Sequence, residues 1–296
     1  MPRLIALFLL WFLPLAWASV PDDRPLPDLD SLLKEFRKTL RSDRLLLSQY
    51  TYLETVTERQ RDKQGQIKKT EVRVFEVYPS LEEGETYRRL ISRDGKALGV
   101  AELEKNDREQ DQKVQERIRK QQREKSSERE RHLAKEAEER KKEDAVIDEA
   151  FRLYQVSLQG REILDGQNTL RLDFTPRRDY KPRSNEARIF KKMAGRAWVS
   201  EADHQLVRLE AELIDTVSFG LGMLARLNKG AQAQFQRKPV NDEIWLPATA
   251  RFSGSARILL VKAMNVDVEV QYSDYRKFTV QTSVSFSEPR PPQSLP

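Results

Sequence analysis

His132 and His204 are the only imidazoles in this 296-residue chain, and it has no cysteine. A thiolate nucleophile, a disulfide and a lipidated cysteine are therefore excluded, and a multi-histidine metal site lacks ligands. His132 lies among Arg129, Glu130 and Arg131, where nothing dehydrates or orients a ring. His204 follows Asp203 in Ser200-Glu201-Ala202-Asp203-His204-Gln205, a turn between two strand patterns. A base there would need a rigidly held nucleophile within reach, and the sequence offers none. Gly-x-Ser-x-Gly, His-Glu-x-x-His, phosphate-loop and dinucleotide signatures are absent. No catalytic residue, metal ligand or cofactor is assigned, and a hydrolase survives only as a remote alternative.

Binding chemistry has more material. Phe219-Gly220-Leu221-Gly222-Met223-Leu224-Ala225-Arg226-Leu227 connects two strand patterns yet presents Phe219, Leu221, Met223 and Leu224. Connecting segments usually lie at the surface, so these groups either close a core as a short helix or bend, or form a movable apolar lip. Methionine suits a lip because its thioether adapts to varied apolar shapes. Phe174, Trp198 and Trp245 are the aromatic candidates for a cavity behind it, although a filled core would use them equally well. Arg177, Arg178, Lys181 and Arg183 crowd into one short loop and are candidates for an anionic head group, against the simpler reading of a solvated loop.

These residues must be positioned by regular elements. Over 28–47, Leu29, Leu32, Leu33, Phe36 and Leu40 recur at spacings of three and four, which predicts an amphipathic helix capped by Asp28 or Asp30. From Gln49 the period becomes two. Gln49–Gln60 and Ile67–Tyr78 predict a hairpin, and Glu85–Ser92 predicts a third strand ending at Asp94-Gly95. Alternation returns at Tyr154-Val156-Leu158, Leu170-Leu172-Phe174, Val207-Leu209-Ala211-Leu213, Val266-Val268-Val270-Tyr272 and Val280-Thr282-Val284-Phe286. One buried and one wet face marks an antiparallel sheet. The fold class expected is α+β: a curved antiparallel sheet, an incomplete β-barrel, packed on the N-terminal helix.

Residues 101–150 interrupt that pattern. Over 102–144, 14 basic and 14 acidic side chains cancel, and no apolar residue occurs between Ile118 and Leu133. A coiled coil would need an apolar seam. Pairs such as Glu104–Arg108 and Glu138–Lys142 instead predict a solvated helix, frayed near Ser126-Ser127.

The chain opens with Arg3, an apolar run from Leu4 and Ala16-Trp17-Ala18, which reads as a cleaved signal peptide over 1–18 rather than a membrane anchor. A linker at 19–27, the main domain at 28–288 and a Pro-rich tail at 289–296 complete the division. Without glycosylation sequons or cysteines, a bacterial periplasm is the expected compartment, with secretion as the alternative. The net charge is +6, the basic residues are spread along the strand patterns, and no nucleic-acid motif is present.

Four stretches carry a family likeness. Leu45–Gln60 with Ile67–Tyr78 resembles the helix-to-hairpin passage of the LolA/LolB/RseB-like superfamily. Gly195-Arg196-Ala197-Trp198-Val199-Ser200, with the return strand His204–Glu210, is similar to its Gly-x-x-Trp strand pair. Asp242-Glu243-Ile244-Trp245-Leu246-Pro247 resembles its Trp-Leu-Pro strand, and Arg89–Lys96 resembles a segment that recurs in uncharacterised bacterial relatives. The resemblance implies a half-barrel around an apolar cavity in a protein that carries lipid or lipoprotein acyl chains, with transient membrane contact. Lacking a lipobox cysteine, the chain would be the soluble form. An envelope sensor or protein-binding module, working through residues 101–150, is the alternative.

Overall fold

The structure, a computed structural model, describes residues 24–40, 48–62, 64–79, 86–123, 126–219, 225–258 and 262–277. The leader at 1–18, most of the linker, residues 220–224, the expected strand Val280–Phe286 and the tail lie outside the described residues.

Helix α1 (Leu29–Thr39) begins where Asp28 accepts a hydrogen bond from the Ser31 amide at 2.9 Å, satisfying one of the free N–H groups of the first turn. Arg37 and Lys38 occupy its last turn, and Leu32 and Phe36 are buried. The helix expected over 28–47 closes with Leu40 as its cap, and residues 41–47 lie outside the description.

The strands follow as β1 (Tyr50–Arg61), β2 (Ile67–Tyr78), β3 (Tyr87–Arg93) and β4 (Lys96–Ala97). After two helices come β5 (Tyr154–Leu164), β6 (Gln167–Pro176), the short α4 (Asn185–Phe190), β7 (Met193–Ser200) and β8 (Leu206–Leu213). Then come β9 (Val217–Phe219), β10 (Ala225–Leu227), β11 (Gln232–Val240), β12 (Ile244–Ile258) and β13 (Lys262–Lys277). All pairings are antiparallel, in the order β4-β3-β2-β1-β13-β12-β11-β8-β7-β6-β5, with the β9–β10 hairpin attached to β12. The curved sheet does not close into a barrel. Asp94-Gly95 and Asp165-Gly166 turn tight hairpins, each residue at positive φ, where aspartate and glycine are tolerated.

Alternation sorts the side chains onto two faces, with one exception. Val207 was expected beside Leu209, Ala211 and Leu213. A register shift between Trp198 and Val199 pairs Val199 with Leu206 and Trp198 with Arg208, leaving Val207 as the extra residue of a bulge. Leu206 therefore joins the α1 core, whereas Val207 is buried against Trp198 and Trp245. The main core lies under α1, where Leu32 and Phe36 meet Leu170, Leu172, Ala197, Val199 and Leu206. Gly195 is required there: a Cβ at that position would sit 2.0 Å from the Glu210 carbonyl oxygen and 2.8 Å from the Phe174 ring.

The charged stretch forms two helices, α2 (Val100–Arg123) and α3 (Ser126–Leu153), where one was expected. Their outer ends are docked. At the start of α2, Leu103 is buried, and Asp107 accepts from Arg89 at 2.6 and 2.8 Å and from the Tyr87 hydroxyl at 2.9 Å. At the end of α3, Leu153 is buried, Phe151 meets Phe36 edge-on, and Asp148 accepts from Arg37 at 2.9 Å. The insertion thus joins the β4 end of the sheet to its β5 end. Among the described residues no helix is long and apolar enough to cross a membrane.

Candidate ligand cavity

The face of β5–β8 under α1 is not packed solid. Leu33 and Phe36 of α1, its cap Leu40, and Ala150 and Phe151 of α3 line a hollow of about 260 Å³ above it. Tyr154, Val156, Leu172, Phe174, Ala197, Leu206, Leu209 and Ala211 form its floor, and Phe190 and Met193 form one end. Every lining side chain is apolar except Tyr154, whose hydroxyl is occupied in donating to the Phe190 carbonyl at 2.8 Å. Burial pushes the Tyr154 phenol pKa up, so it stays neutral. Tyr154 and Phe174 also meet edge-on at 4.9 Å, fixing the floor at this end. An apolar cavity of about 150 Å³ already stays dry and admits benzene, while drug-sized ligands need about 300 Å³ or more. The hollow therefore suits a single hydrocarbon chain or chain end.

The basic loop begins at this same end. Tyr154 pairs with Pro176, and the amide of Arg177 donates to the Leu153 carbonyl at 2.9 Å. From there the chain runs through Arg183 into α4, whose cap Ser184 receives the Ala187 amide. Glu149, buried near the end of α3, holds the loop. Its carboxylate accepts from the Arg183 amide at 2.6 Å, the Ser184 hydroxyl at 2.7 Å and the Tyr180 hydroxyl at 3.4 Å. Burial would raise the Glu149 pKa, but these donors outweigh it and hold the carboxyl below its ordinary value. Lys191 donates to the carbonyls of Arg178 and Tyr180. The side chains of Arg177, Arg178, Lys181 and Arg183 are left exposed.

The structure separates the sequence candidates. Phe174 lines the hollow. Trp198 and Trp245, expected in the same cavity, lie on the opposite face, packed with Val207 and Leu164. Each is fixed there by a polar partner, Trp198 Nε1 donating to Glu162 and Trp245 Nε1 to Asp203, both at 2.7 Å. The indole of Trp198 leads the causes that hold Glu162 below its ordinary pKa. Phe219 ends β9, and the segment expected to be a helix, bend or lip is flanked by paired strands, Val217 opposite Leu227. Leu227 packs with Leu213, Val217 and Ala231. Leu221, Met223 and Leu224 lie outside the described residues. Sequence reading missed Ala150 and Phe151, whose signal was the return of apolar residues (Val146, Ile147, Ala150, Phe151) after the charged run.

A larger hollow, about 620 Å³, lies on the other face of β7, β8, β11 and β12, lined by Arg196, Glu210, Glu212, Gln232, Gln234, Arg251, Ser253 and Asp267. Its charged side chains other than Glu212 are paired, Asp267 with Arg59 and Arg61. Arg196 and Arg208 pair with Glu210, and Arg251 pairs with Glu269, at 2.8–2.9 Å. Among the described residues no group of His, Asp and Glu is arranged to hold a metal ion.

No family model matches the chain, and no curated protein matches it. Solved structures do. A domain named for outer-membrane lipoprotein sorting from Vibrio parahaemolyticus is 11% identical, matched over 86% of this chain and 95% of its own, with a TM-score of 0.34. A LolA-superfamily protein from Nitrosomonas europaea is 10% identical over 86% and 96%, with a TM-score of 0.27. A chain of the MucA/MucB complex of Pseudomonas aeruginosa is 10% identical over 84% and 99%, with a TM-score of 0.22. At these TM-scores, all below 0.5, the likenesses carry no argument about this chain.

Proposed function

We propose that this protein binds the hydrocarbon chain of a lipid or lipoprotein in the hollow between α1, α3 and β5–β8, as a carrier in the bacterial envelope and without covalent chemistry. The observation that carries the reading is the lining itself: about 260 Å³ bounded by apolar side chains, with the single hydroxyl already used. Each methylene moved there from water contributes about 0.8 kcal/mol, so a chain end of a few carbons supplies ample drive. The signal-like leader supports the envelope assignment. The segment 219–227, which ends in β10, belongs to the same proposal as a lip, and Leu221→Asp with Met223→Asp should weaken binding if it serves as one.

Uptake of a fluorescent fatty acid, with native mass spectrometry of protein from the periplasm, tests the reading. Native protein should bind the probe and carry co-purifying lipid. Ala197→Phe, which fills the floor, should reduce uptake at least tenfold while the fold persists. A clean apo mass with no uptake would reject the proposal. A second reading, a protein-binding module, is favoured by the exposed side chains between the docked ends of α2 and α3. Deleting residues 111–143 leaves both anchors in place. It should spare uptake under the carrier reading and abolish capture of an envelope partner under the module reading.

A further inference from the structure

The net charge of the chain is concentrated. Residues 177–192 hold seven cations and two acids, net +5, whereas the whole chain is +6, so the other 280 residues carry only +1. Several arginines elsewhere on the body are matched, as Arg161 is to Glu201, Arg171 to Glu162 and Arg251 to Glu269. Within this segment Lys191 and Lys192 are engaged by neighbouring carbonyls and Asp215, and Arg188 by Asn185. Arg177, Arg178, Lys181 and Arg183 are different. They are exposed and form no ion pair among the described residues, with Asp179 and Glu186 the only exposed acids in the segment. Their backbone is nonetheless pinned by Glu149, Lys191 and the Leu153 carbonyl. A tethered loop with free cationic tips is pre-organised for an extended negative surface, because the ordering cost is already met by the fold.

We infer that residues 177–183 dock the protein onto an anionic lipid bilayer, at the end of β5–β6 where the apolar hollow lies. Each lysine or arginine near such a surface adds attraction that decays within a Debye length, so four on one loop give strong, salt-sensitive binding. This docking stands on charge placement and does not depend on what fills the hollow.

Co-sedimentation of the full chain with vesicles tests it. Vesicles of phosphatidylcholine containing about 30% phosphatidylglycerol should bind the protein at low salt, and pure phosphatidylcholine should not. Raising the salt from 50 to 500 mM should release it. The quadruple variant Arg177→Gln, Arg178→Gln, Lys181→Gln, Arg183→Gln should lose at least tenfold in vesicle affinity. Neutralising the equally exposed Lys68, Arg93, Lys96 and Lys229 should cost less than threefold. Circular dichroism of both variants should match native. The inference is overturned if native protein ignores anionic vesicles or if both variants fall equally, which would mean diffuse charge. Displacement by submillimolar glycerol 3-phosphate would also overturn it, showing a pocket for one phosphate instead of a surface. If fatty-acid uptake fails but vesicle binding behaves as described, only the cavity proposal is lost.

Discussion

Strands β7 and β8 separate two hollows that share Ala211 and differ in everything else. One side holds about 260 Å³ roofed by α1 and α3 and lined by apolar groups; the other holds about 620 Å³ of open polar sheet face. Size favours the second and chemistry the first. An apolar hollow has no polar groups to hold water, so a hydrocarbon gains by entering it. Most charges of the polar groove are already held in ion pairs, and a ligand there would have to replace exposed pairs worth little individually. The difference traces to alternation along β8, with Leu209, Ala211 and Leu213 facing one way and Arg208, Glu210 and Glu212 the other.

The comparison is sharpened first by Phe36→Ala. Phe36 is 8% exposed, belongs to the α1 core and touches the hollow. Truncation should cost about 3–5 kcal/mol by loss of packing. Chemical denaturation at constant m-value checks it. A loss below about 1 kcal/mol would mean that α1 is a loose cover and not a structural roof.

Alternation made this half of the molecule legible from sequence alone. The Leu29-to-Leu40 spacing, the Asp28 cap, the Ile67–Tyr78 strand and the Asp94-Gly95 turn all follow from local chemistry, which a sequence displays directly. The Trp198–Trp245 pair did not. Which face a tryptophan occupies depends on register, and one bulge beside Val207 resets register without any glycine or proline to announce it. Residues 102–144 read as solvated because their charges cancel. The docking of the insertion depends on Leu103, Asp107, Asp148 and Phe151, and the partners of the last two, Arg37 and Phe36, lie far away in sequence. The hollow itself is a vacancy between α1, α3 and the sheet, and no residue pattern encodes a vacancy.

Glu149→Gln is the next-largest test, because Glu149 ties the α3 part of the roof to the basic loop. An amide in its place leaves at least one of the Arg183 and Ser184 donors poorly matched, at a cost of about 2 kcal/mol at neutral pH. Since the folded carboxyl titrates below its unfolded value, its contribution is present above the unfolded pKa of about 4.3 and is lost as pH falls through the lower folded value. The difference between native and variant, followed by urea unfolding from pH 7 to pH 3, should therefore shrink toward zero in acid. A gap that stays constant across that range would assign the cost to shape and not to charge.

The smallest effect belongs to the larger hollow. Gln232 lines the polar groove from β11, opposite Glu212 on one side and Ser253 on the other, and its side chain is exposed. Gln232→Ala removes no core contact and breaks no ion pair, so stability should move by less than about 0.5 kcal/mol. Fatty-acid uptake should not change, because the side chain points away from the α1 face. Both readouts are needed, since the two hollows share a wall only one strand thick. Unchanged stability with weakened uptake would show that the groove communicates with the apolar side through Ala211. In that case the distinction between a binding hollow and an inert one, drawn from lining chemistry, would fail at its thinnest point.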